Sequence, residues 1–369
     1  MSAGLNMGKL GKCGSARGWW RIVGAAMLIL PAATRAAGPP FIRVAEGQRG
    51  FVLDRTPFAP TGFNYDHDRK GRLLEDYWAD EWPLVDQHFR EMRELGANVV
   101  RIHLQLGKFM TAANKPNEAN LKRLAQLLVL AEKNKLYLDV TGLGCYHKAD
   151  VPAWYDALSE SDRWDVQANF WTAVAKVCKH SPAVFCYDLM NEPVSPGGKR
   201  KDGDWLGPAF GDKHFVQVIS LDQKGRPRPE IAKAWIKHLA TAIRKVDPQH
   251  LITVGLVDWS LDRKGLTSGF VPEKVAEELD FLAVHLYPET GKLDDAMETL
   301  KGFHVGKPII VEETFPLKCS ATDLLGFMDK AKPHSAGWIS FYWGRPPVDS
   351  KTIGDAIQRD WLERFPGKK

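Results

Sequence analysis

Glu192 and Glu313 each stand where a β-prone apolar run gives way to a loop. The first closes AVFCYDLMNEP (183–193) but for its proline, and the second closes KPIIVEE (307–313). If both runs are parallel strands of one closed barrel, both carboxyls reach the same rim. Two facing carboxyls can split a glycosidic bond, one donating a proton to the leaving oxygen while the other attacks carbon. The proton donor must stay protonated near neutral pH, which calls for a pKa raised by apolar surroundings or a neighbouring anion. Neighbours on a strand point to opposite faces. If Ile309 and Val311 fill the barrel interior, Glu313 shares their face, and Glu312 points outward toward a surface partner.

Eight strand-like runs can carry such residues: 58–65, 97–103, 136–142, 183–190, 251–256, 280–287, 308–313 and 336–343. Most are rich in β-branched or aromatic residues and short enough for strands. Amphipathic helix patterns lie between them, at 82–95, 120–134, 162–180 and 229–246, and resume near 293–302, 321–332 and 351–364. Continuous apolar strands alternating with helices predict a parallel sheet covered on both faces. Eight such units close into a (β/α)₈ TIM barrel. A doubly wound sheet is the competing architecture, but the Gly-rich nucleotide motifs GxGxxG and GxxxxGK[ST] do not occur. A short N-terminal β-hairpin over 41–58 is expected to close the barrel bottom. The Gly-, Pro- and Lys-rich stretch 194–229 reads as a long loop beside the rim, and loops of that length in compact domains are usually functional.

The chain has 369 residues, 44% hydrophobic and 26% charged, ordinary for a globular protein. Its first segment differs. Lys9, Lys12, Arg17 and Arg21 precede the apolar run 22–33, followed by small residues. That layout predicts a signal peptide over 1–37 with cleavage near Ala36 or Ala37, and a single catalytic domain over 38–369. The apolar run is too short to span a bilayer as a mature helix. Together with Arg35, the leader cations account for the whole formal charge of +5. The remainder is near neutral, which gives no argument for nucleic acid or an acidic membrane surface as partner. An exported chain could pair Cys145, Cys178, Cys186 and Cys319. Cys178 and Cys186 read instead as small buried apolar residues, and no cysteine or histidine spacing suggests a metal.

The ordered set GFNY, GANVVRIH, DLMNEP, VHLYP, KPIIVEE and WISFYWG resembles glycoside hydrolase family 5, the cellulase and mannanase group, over roughly residues 41–365. A lone Asn-Glu-Pro is weak; its position on the fourth strand, with His-x-Tyr on the sixth and a glutamate on the seventh, is specific. The resemblance implies that Glu192 is the general acid/base and Glu313 the nucleophile. It implies that Asn191 binds the sugar 2-hydroxyl and that Arg101 and Tyr287 hold the nucleophile. It places His285 near the acid/base and Trp343 beneath the reactive sugar. His103 and Asn64 are further candidates to line the cleft. Trp154, Trp205 and Trp259 are candidates for outer sugar subsites.

The pattern departs from the family at one place. Many members carry a histidine at the end of the third strand, where Thr141 stands here; His147 is a candidate to reach the site from the loop. The function so implied is retaining hydrolysis of β-linked gluco- or manno-configured saccharides by a secreted or periplasmic enzyme, expected to be a monomer. Neither cofactor nor metal is required. Two alternatives remain: a non-catalytic carbohydrate-binding protein on this scaffold, and a transglycosylase using the same residues.

Overall fold

The computed structural model describes residues 40–367 apart from Lys264, Tyr342, Pro347 and Ser350. The expected leader lies outside the described residues. The barrel strands are β1 (Thr61–Tyr65), β2 (Val99–Gln105), β3 (Tyr137–Gly144), β4 (Val184–Asp188), β5 in two pieces (Leu251–Thr253 and Gly255–Val257), β6 (Leu282–His285), β7 (Ile309–Thr314) and β8 (Trp338–Ser340). All pairings are parallel. The first piece of β5 pairs with β4 and the second with β6, so the two edges of the sheet meet in one strand interrupted at Val254. This is the expected (β/α)₈ barrel, and Pro39–Lys369 form one compact unit.

Helices cover the outside of the sheet. Glu118–Asn134 starts where Asn117 Oδ1 accepts from the amides of Ala119 and Asn120, and Glu160–Cys178 where Ser159 caps Asp162. Such side chains satisfy amides that the first turn leaves unpaired. Ile309 and Val311 of β7 pack outward into this helix-facing core, with Leu324 and Phe327.

The lower interior is filled by Val99, Phe281, Ala283, Ile310 and Ile339. Ile42 and Phe51 from the N-terminal segment join them. Phe51 meets Phe185 and Phe281 edge-on, each at 5.1 Å between ring centroids. The expected hairpin does plug the barrel bottom, as a three-stranded antiparallel meander of Ile42–Val44, Phe51–Leu53 and Thr56–Phe58.

This packing inverts one sequence-based expectation. Ile310, not Ile309 and Val311, faces the interior, and with it Glu312. The reason that Glu313 also reaches the interior is a bulge. Between Val284↔Val311 and His285↔Glu313, β6 advances one residue and β7 advances two. The pairing with β8 slips in the same place, between Val311 and Thr314. An extra residue in one strand breaks the alternation and re-aims side chains.

Among the described residues no helix is long and apolar enough to cross a membrane. Cys145, Cys178, Cys186 and Cys319 are all free, and the first three are buried.

Candidate active site

Parallel register stacks the interior side chains in layers. Asn64, Arg101 and Asp139 are aligned across β1, β2 and β3. His103, Thr141 and Asp188 are aligned one layer nearer the rim, across β2, β3 and β4. Glu192 lies just beyond β4, at the head of a short strand, Glu192–Val194, that pairs with Val216–Val218 from the long loop. The loop therefore does stand beside the rim. Gly255 is what lets β5 approach this turn: a Cβ there would lie 1.8 Å from the Asn191 carbonyl oxygen.

Carboxylate oxygens of Glu192 and Glu313 and a ring nitrogen of His285 all lie within 4.8 Å of one another. Oxygens this close favour a double displacement over a single one, which needs carboxyl groups about 6.5–9.5 Å apart to seat a water.

Arg101 is fully buried and forks between the two sides of the site. Its Nη1 donates to Glu313 Oε1 at 2.6 Å and Asn64 Oδ1 at 2.9 Å. Its Nη2 donates to Asp188 Oδ2 at 2.6 Å and Asn191 Oδ1 at 3.0 Å, and stands 3.3 Å from Glu312. Tyr287 Oη donates to Glu313 Oε2 at 2.8 Å. Burial, together with the Glu313 charge, pushes the Tyr287 hydroxyl well above its usual range, so it remains a donor. Burial also pushes the Glu313 carboxyl up, against the cations of His285 and Arg101.

His285 bridges the pair to a further carboxylate. Its Nδ1 lies 2.8 Å from Glu192 Oε1 and its Nε2 3.2 Å from Glu312 Oε2. Burial alone would lower the imidazole pKa, but Glu313, Glu192 and Glu312 outweigh it and hold it at about 10. The ring is therefore an imidazolium near neutral pH, donating from both nitrogens.

Glu312, expected to point outward, is fully buried and belongs to this network. Its carboxylate lies within 4.8 Å of those of Asp139 and Asp188. Burial pushes Asp188 up to about 7, and Asp139 well above the carboxylate range. Burial opposes ionisation of Glu312 as well, but Arg101 and His285 hold its carboxyl down. The shifts run in opposite directions, Asp139 toward the neutral form and Glu312 toward the ionised form that Arg101 and His285 face.

Other candidates fall in different places. His103 is buried, with Nδ1 2.5 Å from Tyr146 Oη and Nε2 3.1 Å from Asn64 Oδ1. Asn64 also donates to the carbonyls of Glu312 and Ser340. Both brace the site from beneath. Thr141 donates to Asp188 Oδ2 at 2.8 Å, and His147 turns away toward Asp212, at 4.0 Å. Trp343 is 3% exposed, edge-on to Tyr65 and tilted against His88, so it presents no open face to a sugar. Trp205 is buried under Arg163 and is not an outer subsite. Trp154 is half-buried, and Trp259 is exposed.

Sequence reasoning passed over Asp139, Asp188 and Tyr146. The signal for Asp139 and Asp188 was an acid inside an otherwise apolar run, in register with Arg101 or Thr141. Tyr146 carried no such mark.

Residues 55–344 match the family described as Cellulase (glycosyl hydrolase family 5). A probable mannan endo-1,4-β-mannosidase C of Aspergillus terreus is 30% identical over 120 residues, which is 30% of this chain and 25% of that enzyme. The chain thus matches only about a quarter of that relative's length. In structure, the endo-1,4-β-mannanase of Eisenia fetida is similar with a TM-score of 0.60 at 17% identity, covering 88% of this chain and 94% of that one. The endo-1,4-β-mannanase of Rhizomucor miehei gives 0.61 at 18%, covering 88% and 99%.

Proposed function

Because the chain belongs to glycosyl hydrolase family 5, we propose that this glycoside hydrolase acts by retaining double displacement on β-linked manno- or gluco-configured sugars. The approach of the Glu192 and Glu313 carboxylates, with one oxygen of each within 4.8 Å of the other, carries the reading. Glu313 attacks the anomeric carbon and forms an ester as the glycosidic C–O bond breaks. Glu192 passes its proton to the leaving oxygen. Glu192 then takes a proton from water, whose oxygen bonds to the anomeric carbon and frees the Glu313 carboxylate. Arg101 and Tyr287 hold the nucleophile between two donors, at 2.6 and 2.8 Å. The family resemblance assigns Asn191 to the sugar 2-hydroxyl. A manno configuration is favoured by the mannosidase activity of the fungal relative.

Residues 1–37 direct export, and the mature chain begins near Gly38; N-terminal sequencing of exported protein tests this. The mechanism is tested by incubation with 2-deoxy-2-fluoro-mannosyl and -glucosyl fluorides. Mass spectrometry should find the label on Glu313, and Glu313→Gln should take up none. Label on another carboxylate would reassign the nucleophile.

A further inference from the structure

The cavity above the catalytic carboxylates has a lining that the hydrolysis step does not require. It encloses about 340 Å³ between Glu192, Tyr287 and Glu313 on one side and Pro208, Phe210, Phe215, Val216, Phe315, Leu317 and Phe341 on the other. Phe210 is 73% exposed and Leu317 58% exposed, so large apolar side chains stand in solvent at its lip. Phe215 and Phe341 meet edge-on at 6.1 Å, and Phe341 meets Tyr287 at 6.4 Å, which makes the wall continuous down to the nucleophile's own partner.

Sugar rings stack well on aromatic faces, but their hydroxyls need partners at the ring edge. A buried hydroxyl without one loses its hydrogen bonds to water and gains nothing. In this cavity the polar side chains are the catalytic pair and Tyr287. The groups that suit the reactive sugar, Arg101 and Asn191, lie deeper and are buried. Beyond that sugar the wall offers apolar surface alone.

Building on the glycosidase reading, we propose that this cavity is a leaving-group subsite for an apolar aglycone, so that the substrate class is the β-glycoside of a hydrophobic alcohol rather than a polysaccharide. Two loops form it. Pro208, Phe210 and Phe215 come from the long segment after β4, and Phe315 and Leu317 from the turn after β7. An alkyl chain lying between them would cover Phe210 and Leu317. Contiguous exposed apolar side chains at a pocket are otherwise costly to leave in water.

The test is a chain-length series of alkyl β-mannosides and β-glucosides, methyl to octyl, assayed for kcat/KM. Leaving-group acidity barely changes along the series, so the trend reads apolar burial. The expected result is a rise of up to about threefold to fourfold per methylene until the cavity is full. Phe210→Ser and Leu317→Ser, both at the exposed lip, should flatten that slope and shrink the octyl-to-methyl ratio at least tenfold. A flat series, or a manno- or gluco-tetrasaccharide cleaved with higher kcat/KM than either octyl glycoside, overturns the apolar subsite. Dinitrophenyl β-mannoside and β-glucoside, run in parallel, separate the two readings. Their turnover with a flat alkyl series overturns only this inference, whereas no turnover of these, the alkyl glycosides or the tetrasaccharides overturns the proposed double displacement with it.

Discussion

Glu312 and Glu313 are consecutive in the chain, yet both carboxylates face Arg101, at 3.3 and 2.6 Å. A regular strand would send one of them outward. The bulge in β7 sends both inward, and they divide the work. Glu313 faces the cavity beside Glu192, while Glu312 sits behind His285.

Glu312 therefore acts as a positioning residue through His285. With its charge gone, the imidazolium loses one of the carboxylates that hold its pKa at about 10. Glu312→Gln should lower the His285 pKa by about 1–3 units, the usual effect of losing an opposite charge at this distance, read from the NMR titration of the ring. An imidazole titration unchanged by the substitution would show that Glu312 does not work through the ring.

Glu192 is needed where the leaving group is a poor one. Glu192→Ala should cost about 10²–10⁴ in kcat/KM on alkyl glycosides, the size of a general acid's contribution. On a dinitrophenyl glycoside, whose leaving oxygen needs no proton, the first step should be nearly unaffected. Equal losses on both would assign the acid elsewhere.

Much of this was legible in the sequence, and the failures have physical causes. The strands appear where the apolar runs lie: 97–103 becomes Val99–Gln105, and 308–313 becomes Ile309–Thr314. Arg101, Asn191, His285 and Tyr287 come together because strand order and a motif at each strand end fix them at one rim. Parity failed at 309–313 for two reasons. This strand is buried on both faces, so Ile309 and Ile310 are equally apolar and give no sign of which faces inward. A bulge leaves no mark in composition. The burial of Trp343 was not legible because a tryptophan at a strand end looks the same whether it meets solvent or, as here, Tyr65 and His88. The apolar cavity was not foreseen because its walls come from two loops, joined only in the fold.

Arg101 is the cation on which the buried acids depend. Arg101→Met should leave Asp188, Glu312 and Glu313 without their shared partner, and breaking such a buried network typically costs about 3–5 kcal/mol. Urea unfolding should show the loss as a lower midpoint. Arg101→Lys should not restore it, since one ammonium cannot reproduce the fork that serves Glu313 and Asn64 from Nη1 and Asp188 and Asn191 from Nη2.

His285 makes stability depend on alkaline pH. Its folded pKa of about 10 lies above the ordinary histidine value of about 6.5. The folded state thus holds a proton that the unfolded chain releases, and stability falls as pH rises wherever that is so. The contribution is complete below about pH 6.5 and is lost progressively up to about pH 10. Glu75, which burial pushes up to about 8, also loses its contribution as pH rises, but between about pH 4.5 and 8. The two are separable by variant. Tm measured from pH 6.5 to 10 should decline in the parent chain and decline less in His285→Gln, which keeps a donor but cannot titrate. A decline between about pH 8 and 10 that is identical in both chains would leave the His285 proton without a role in stability.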